Sequence, residues 1–279
     1  MQFRLMRRDD APHAAALGRA VFAEPDDPPR TPAEERFQVG RHLHLMGTDP
    51  DGCWVAEEGG RIVGAAVSLI RDGVWGLSFL AVEPGLQARG IGRELLDRAM
   101  AYGDGARGRL ILSSTDPKAM RRYARAGLDL HPCVAAAGIV DRARLPATPA
   151  QIVESDDVEA TAPISRHVRG ATHHLDIPQY LDYGMRLLLH GDRGFVVFDR
   201  EIVKLLAARD EQAATELLWA ALAHTPNGGT VGVDFLTAQQ QWAIRTVLEA
   251  GLALSPDGPI YTAGDVGPMA PYIPCGAYL

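Results

Sequence analysis

Cysteine is scarce in this chain of 279 residues: Cys53, Cys133 and Cys275 stand far apart and form no Cys-x-x-Cys pair. The opening MQFRLMRRDD lacks the apolar core of a secretory signal, so free thiols in a reducing cytoplasm are expected rather than a disulfide framework. No run of about 18 apolar residues occurs, which argues against a membrane-spanning helix. Lysine is nearly missing: Lys118 and Lys204 stand alone among many arginines, a bias with no functional message. No part is strongly basic either. Residues 1–145 carry 20 Lys+Arg against 19 Asp+Glu, and residues 146–279 carry 8 against 16, giving the whole chain a net charge of −7. Nucleic acid is therefore not an expected partner, whereas a cationic small molecule or peptide is compatible with the charge. His42-x-His44 and His173-His174 have no cysteine or carboxylate at ligand spacing, so no metal is expected. What remains, 47% apolar and 23% charged, is ordinary globular composition.

Residues 3–8 form a strand pattern, 9–22 a helix opened by aspartates, and 31–46 a second helix with Thr31 as cap and Pro32 in its first turn. Three strands follow: CWVAEEG, GRIVGAAVSLI and VWGLSFLAV, joined by turns at Gly59-Gly60 and at residues 71–73. A glycine-rich loop, the helix GRELLDRAMAYG, the strand RLILSS, the helix PKAMRRYARAG and a strand region from Leu128 to Val140 complete the order β-α-α-β-β-β-α-β-α-β. A proline-bearing linker at 143–151 then separates a lobe of residues 1–142 from one of residues 152–279. The second lobe repeats the first. Asp9-Asp10 pairs with Asp156-Asp157, Leu80–Val82 with Leu206–Ala208, Glu94-Leu95-Leu96 with Glu216-Leu217-Leu218, and Gly127 with Gly251. Ordered matches of this kind imply a diverged duplication. The offset between copies falls by 21 residues before LAV/LAA, which reads as roughly one strand with its turns lost from the second copy. Four more residues are gone from its glycine loop.

That loop, VEPGLQARGIGREL (82–95), hands a strand to a helix through Gly90-x-Gly92. A helix start leaves about four N–H groups unpaired and carries roughly half a positive charge. Gln87–Arg93 therefore reads either as a phosphate or pyrophosphate site, with Arg89 and Arg93 as cations, or as a tight turn using glycine for sterics alone. A dinucleotide fingerprint fails because Leu95 stands where a third glycine belongs. A P-loop fails because Arg93-Glu94, not Lys-Ser/Thr, follows Gly92.

Gln/Arg-x-x-Gly-x-Gly/Ala after a strand ending in Val-x-Pro resembles the acyl-CoA pyrophosphate loop of the GCN5-related N-acetyltransferases (GNAT). Val82-Glu-Pro-Gly-Leu-Gln87-Ala-Arg-Gly90-Ile-Gly92 matches it at every defined position. Asp116-Pro-Lys-Ala119-Met-Arg-Arg-Tyr123-Ala-Arg-Ala-Gly127-Leu128 is similar to the family's Asn-x-x-Ala-x-x-Leu-Tyr-x-x-x-Gly-Phe helix. The resemblance covers about residues 1–140; over 150–279 only the internal repeat speaks. It implies an α/β fold, a mixed central sheet flanked by helices (the acyl-CoA N-acyltransferase fold), in two tandem lobes.

The same resemblance implies acetyl-CoA as donor and a small-molecule or peptide amine as acceptor, in a monomer or homodimer. Main-chain groups of Leu80, Ala81 and Val82 would hold the pantetheine arm, with Asp116 nearby, and Gln87, Ala88, Arg89, Gly90, Ile91, Gly92 and Arg93 would wrap the pyrophosphate. Tyr123 would protonate the leaving thiolate. Many relatives place a carboxylate base on the strand before the loop, but VWGLSFLAV has none. Glu24, Asp26 and Asp27, then Glu57 and Glu58, then the terminal carboxylate of Leu279 are the candidates to replace it. Cys133 is not expected to carry the acyl group, because direct transfer needs no such nucleophile. The second lobe is expected to be a degenerate copy that does not bind CoA: its loop has no glycine, Asp210 and Glu211 replace positive charge, and Val247 stands opposite Tyr123. A non-catalytic acyl-CoA sensor and a vestigial structural protein are the alternatives.

Overall fold

The computed structural model describes residues 1–23 and 29–279. They divide into two compact units, residues 1–106 with 277–279, and residues 107–276.

In the first unit, strands β1 (Gln2–Leu5), β2 (Cys53–Glu58), β3 (Arg61–Arg71) and β4 (Val74–Val82) pair antiparallel in chain order. Both hairpin turns fall where expected, at Gly59-Gly60 and Asp72-Gly73, with positive φ at all four residues. Helix α1 (Ala11–Phe22) follows a short 3-10 turn, and α2 (Pro32–Thr48) opens on a capping box. There Thr31 Oγ1 accepts from Glu34 N at 3.2 Å while Glu34 Oε2 accepts from Thr31 N at 2.5 Å.

Alternation along β3 and β4 sends side chains to two faces. On one, Ser68 Oγ and Trp75 Nε1 donate to the carbonyl of Ala99, which fixes α3 (Ile91–Tyr102) against the sheet. On the other, Phe79 meets Phe22 of α1 and His42 of α2 edge-on, at 5.9 and 4.9 Å between ring centres. Between Leu77 and Phe79 the register with β3 shifts, leaving Ser78 as an extra bulged residue. A buried ion pair, Asp49 to Arg71 at 2.7 Å, closes the end of α2; Ile70 N, Tyr102 OH and Thr48 Oγ1 also donate to the carboxylate.

The second unit contains β5 (Gly108–Leu112), α4 (Pro117–Arg125), β6 (Asp129–Ile139), β7 (Ile152–Glu154), α5 (Ala162–Arg169), α6 (Ile177–Asp182), β8 (Arg186–His190), β9 (Gly194–Phe198), β10 (Ile202–Ala208), α7 (Glu211–Ala223), β11 (Thr230–Thr237), α8 (Gln241–Glu249), β12 (Ala253–Gly264) and β13 (Tyr272–Ile273). Its sheet runs β5-β12-β6-β11-β10-β9-β8-β7, with β10 and β11 parallel, the other neighbours antiparallel, and β13 on β10. Helix α7, apolar nearly all round, lies at the centre of the core, as such a pattern requires.

The element order β1-α1-α2-β2-β3-β4-α3-β5-α4-β6 recurs as β7-α5-α6-β8-β9-β10-α7-β11-α8-β12. The duplication extends to cap geometry. Gly127 and Gly251 both have φ near +87° (85 and 89), and each is followed by the same closing bond, Leu128 N to Tyr123 O and Leu252 N to Val247 O. One expectation is corrected: the second copy has not lost a strand. Its shortfall comes from shrinkage, α2 of 17 residues against α6 of 6 and β3 of 11 against β9 of 5. The last strands of the two copies are exchanged. β6, from the first copy, pairs with β11, and β12, from the second, pairs with β5. Among the described residues no helix is long and apolar enough to cross a membrane.

Candidate functional site

The glycine loop leaves β4 at Val82, turns through a 3-10 segment at Pro84–Leu86 and enters α3. Gln87 folds back so that Nε2 donates to Val82 O at 3.2 Å. Ala88 and Gly90 both have positive φ, 64° and 86°. Gly90 is the cap of α3; an added Cβ there would meet nothing within 4 Å, so its glycine is needed for conformation and not for space. Among the described residues the backbone N–H groups of Ala88, Arg89, Gly90, Ile91 and Gly92 have no protein acceptor. The exposed guanidinium groups of Arg89 and Arg93 have no acidic partner among them either. Free amides, a helix start and two cations thus meet in seven residues, which is the chemistry of an anion site. Leu80, Ala81 and Val82 lie immediately before it on β4, paired through Gly64–Ala66 of β3.

The corresponding loop of the second copy is built in the opposite sense. Asp210 caps α7 with its own side chain, Oδ1 accepting from Ala213 N at 2.9 Å, and Arg193 binds the same carboxylate at 2.7 Å. Arg193 holds the Asp210 carboxyl below its usual range. A helix start already occupied by an internal carboxylate does not invite a phosphate.

Also in the first unit, the bulged Ser78 gathers contacts that the sequence reading missed. Arg41, on α2, donates through Nε to Ser78 Oγ at 3.2 Å and through Nη2 to the Ser78 carbonyl, while Ser78 Oγ donates to the carbonyl of Ala277 at 2.6 Å. The chain's last residues are therefore seated here: Tyr278 packs edge-on to His44 at 5.5 Å and Leu279 is 1% exposed. The lone hydroxyl in the apolar run VWGLSFLAV marks the residue but not its partners. Of the other base candidates, Glu57 is engaged by Arg4 at 2.8 Å and Glu58 is an exposed strand end. Glu24, Asp26 and Asp27 lie outside the described residues.

In the second unit, Asp116 caps α4, its Oδ1 accepting from Lys118 N at 2.9 Å. Tyr123 is 5% exposed and packs edge-on to Tyr261 at 5.5 Å. Burial pushes its hydroxyl well above the ordinary phenol range, so it is protonated at neutral pH. Cys133 is buried and its thiol is pushed up to about 11, which makes it a poor nucleophile. His173 is engaged by Ser165 and Tyr272. A cavity of about 120 Å³ in this unit is lined by residues such as His131, Thr262 and Gln240; none of the site residues expected from the sequence lines it.

A model of the acetyltransferase (GNAT) family matches residues 19–128, a span that holds both the glycine loop and Tyr123. No curated protein matches the sequence. Among solved structures, a Pyrococcus horikoshii protein assigned to the acetyltransferases is 16% identical, with a TM-score of 0.82 over 100% of this chain and 95% of its own. A tandem GNAT protein from the clavulanic acid biosynthesis pathway is 19% identical, covering 95% of this chain and 98% of its own, TM-score 0.58. A GCN5-related N-acetyltransferase from Sphaerobacter thermophilus is 15% identical, covering 95% and 96%, TM-score 0.57. Residues 19–128 thus match the acetyltransferase (GNAT) family model, and over the whole chain the fold is that of two GNAT lobes in tandem.

Proposed function

We propose that the protein is an N-acetyltransferase that takes acetyl-CoA through its first copy alone and passes the acetyl group to an amine of a small molecule or peptide. The carrying observation is the contrast between the two helix starts: amides at Ala88–Gly92 and guanidinium groups of Arg89 and Arg93 without a partner among the described residues in one copy, and a self-capped Asp210 in the other. Gln87–Arg93 hold the pyrophosphate, and the backbone of Leu80–Val82 holds the pantetheine arm and polarises the thioester carbonyl. The amine attacks that carbonyl carbon, the carbon–sulfur bond breaks, and the CoA thiolate leaves. Tyr123 gives the thiolate its proton.

A free alkylamine of pKa about 10 must first lose a proton. With no carboxylate on β4, the terminal carboxylate of Leu279, buried on the same unit as the loop, is the acceptor we assign. A thiol-release assay against a panel of amines tests the reading. CoA released with at least one amine, and lost when Tyr123 is changed, is expected. Acetyl-CoA bound without release by any amine would instead favour the non-catalytic sensor, which the bare β4 also fits.

A further inference from the structure

The internal repeat aligns Leu80–Val82 of β4 with Leu206–Ala208 of β10. In the second copy that stretch is taken. β10 and β11 run parallel but pair only at Ile202 with Gly232 and Val203 with Val233. Further along, β10 pairs antiparallel with β13, Leu206 with Ile273 and Ala207 with Tyr272, and Ala208 N donates to Pro271 O at 3.3 Å. β13 also lies against β11. The chain's own tail thus runs as a strand in the opening between β10 and β11, on the residues equivalent to those that would hold the donor's arm in the first copy.

The tail is fastened there by side chains as well. Gln240 donates to Met269 O at 2.7 Å and accepts from Tyr272 N at 3.0 Å, and its Oε1 is oriented by Trp242 Nε1 at 2.9 Å. Tyr272 OH meets His173 Nε2 at 3.0 Å, and Met269 N donates to Val168 O at 2.8 Å. Tyr272, Ile273 and Cys275 are each 1% exposed or less. Only three residues separate Ile273 from Ala277, whose carbonyl accepts from Ser78 in the first unit.

We propose that the second copy has become a holder for the C-terminal tail. Its former donor opening binds residues 271–273 as a strand, and the short stretch after them fixes where Leu279 can reach. Gln240 is then a positioning residue for the terminal carboxylate, acting through the tail. The inference rests on the reading of Leu279 as proton acceptor and deepens it, and it gives a physical reason, beyond the loop, for acetyl-CoA being refused by the second copy.

Three variants of the whole protein decide it: Gln240→Met, one glycine inserted between Gly276 and Ala277, and a truncation that removes Ala277–Leu279. Gln240→Met removes both tail bonds at similar volume. The insertion adds up to about 3.3–3.6 Å of chain without touching the holder, and a shift of about 1 Å at a reacting group is worth roughly 100-fold in rate. Expected are a loss of kcat of that order in all three, an unchanged KM for acetyl-CoA, and faster hydrogen exchange at Tyr272 and Ala208 in Gln240→Met only. A kcat retained after deletion contradicts the Leu279 reading. A kcat lost on deletion but retained in both other variants contradicts the holder alone. Should Gln240→Met not fold, the insertion decides by itself: full kcat would overturn the positioning role.

Discussion

Burial keeps the Tyr123 hydroxyl neutral at working pH, and that is the state a proton donor to a thiolate needs. Tyr123→Phe removes the proton and little else, since the ring contact with Tyr261 is kept. A fall in kcat of roughly 10²-fold with unchanged acetyl-CoA affinity is expected; steady-state kinetics beside calorimetry checks it, and an unaltered kcat removes Tyr123 from the mechanism. His42 is a second buried titratable group. Burial, then the nearby charge of Arg41, lowers it from 6.5 to about 3. Between those values the unfolded chain binds the proton that the folded one refuses, so this contribution to stability is whole above about pH 6.5 and is lost as pH falls toward 3. Denaturant titrations should show stability dropping by up to ~1.4 kcal/mol per pH unit over that window, with a flatter profile for His42→Leu. The end of α4 was legible because Gly127 takes the positive φ that closes a helix. The Arg41–Ser78–Ala277 chain of bonds was not, because it joins residues 37 and 199 positions apart that share no local spacing.

At the level of elements, local chemistry was the readable part. Gly59-Gly60 and Asp72-Gly73 dictated hairpins, Thr31 with Glu34 dictated the start of α2, and β4 occupies the whole run VWGLSFLAV. Pairing was not readable. Alternation says which residues of a strand are buried but not which strand lies beside it, so the exchange of β6 and β12 between copies left no trace in the sequence. The 21-residue shortfall was misread for a related reason: shortening a helix by 11 residues and a strand by 6 removes length without removing an element. Two helix starts give the element-level predictions. Gly90→Ala forces a Cβ into φ +86° and is expected to cost about 1 kcal/mol and to weaken acetyl-CoA binding, as read by calorimetry. Asp210→Ala removes the cap of α7 and is expected to destabilise the protein by about 1 kcal/mol in denaturant titrations, without creating a second acetyl-CoA site.

For the molecule as a whole, duplication followed by unequal decay accounts for two copies of which the first alone keeps the glycine loop. The first copy keeps Gly90, Gly92, Arg89 and Arg93; the second has a carboxylate at its helix start and the chain's tail along β10. The charge follows the same division, close to neutral before residue 145 and strongly acidic after it. The most direct measurement is a calorimetric titration of acetyl-CoA into the full-length protein, repeated with Gly90 and Gly92 both replaced by valine. One site per chain, abolished by the double replacement, is the expected result. Two sites per chain, or one site that survives the replacement, would contradict the assignment of donor binding to the first copy's loop.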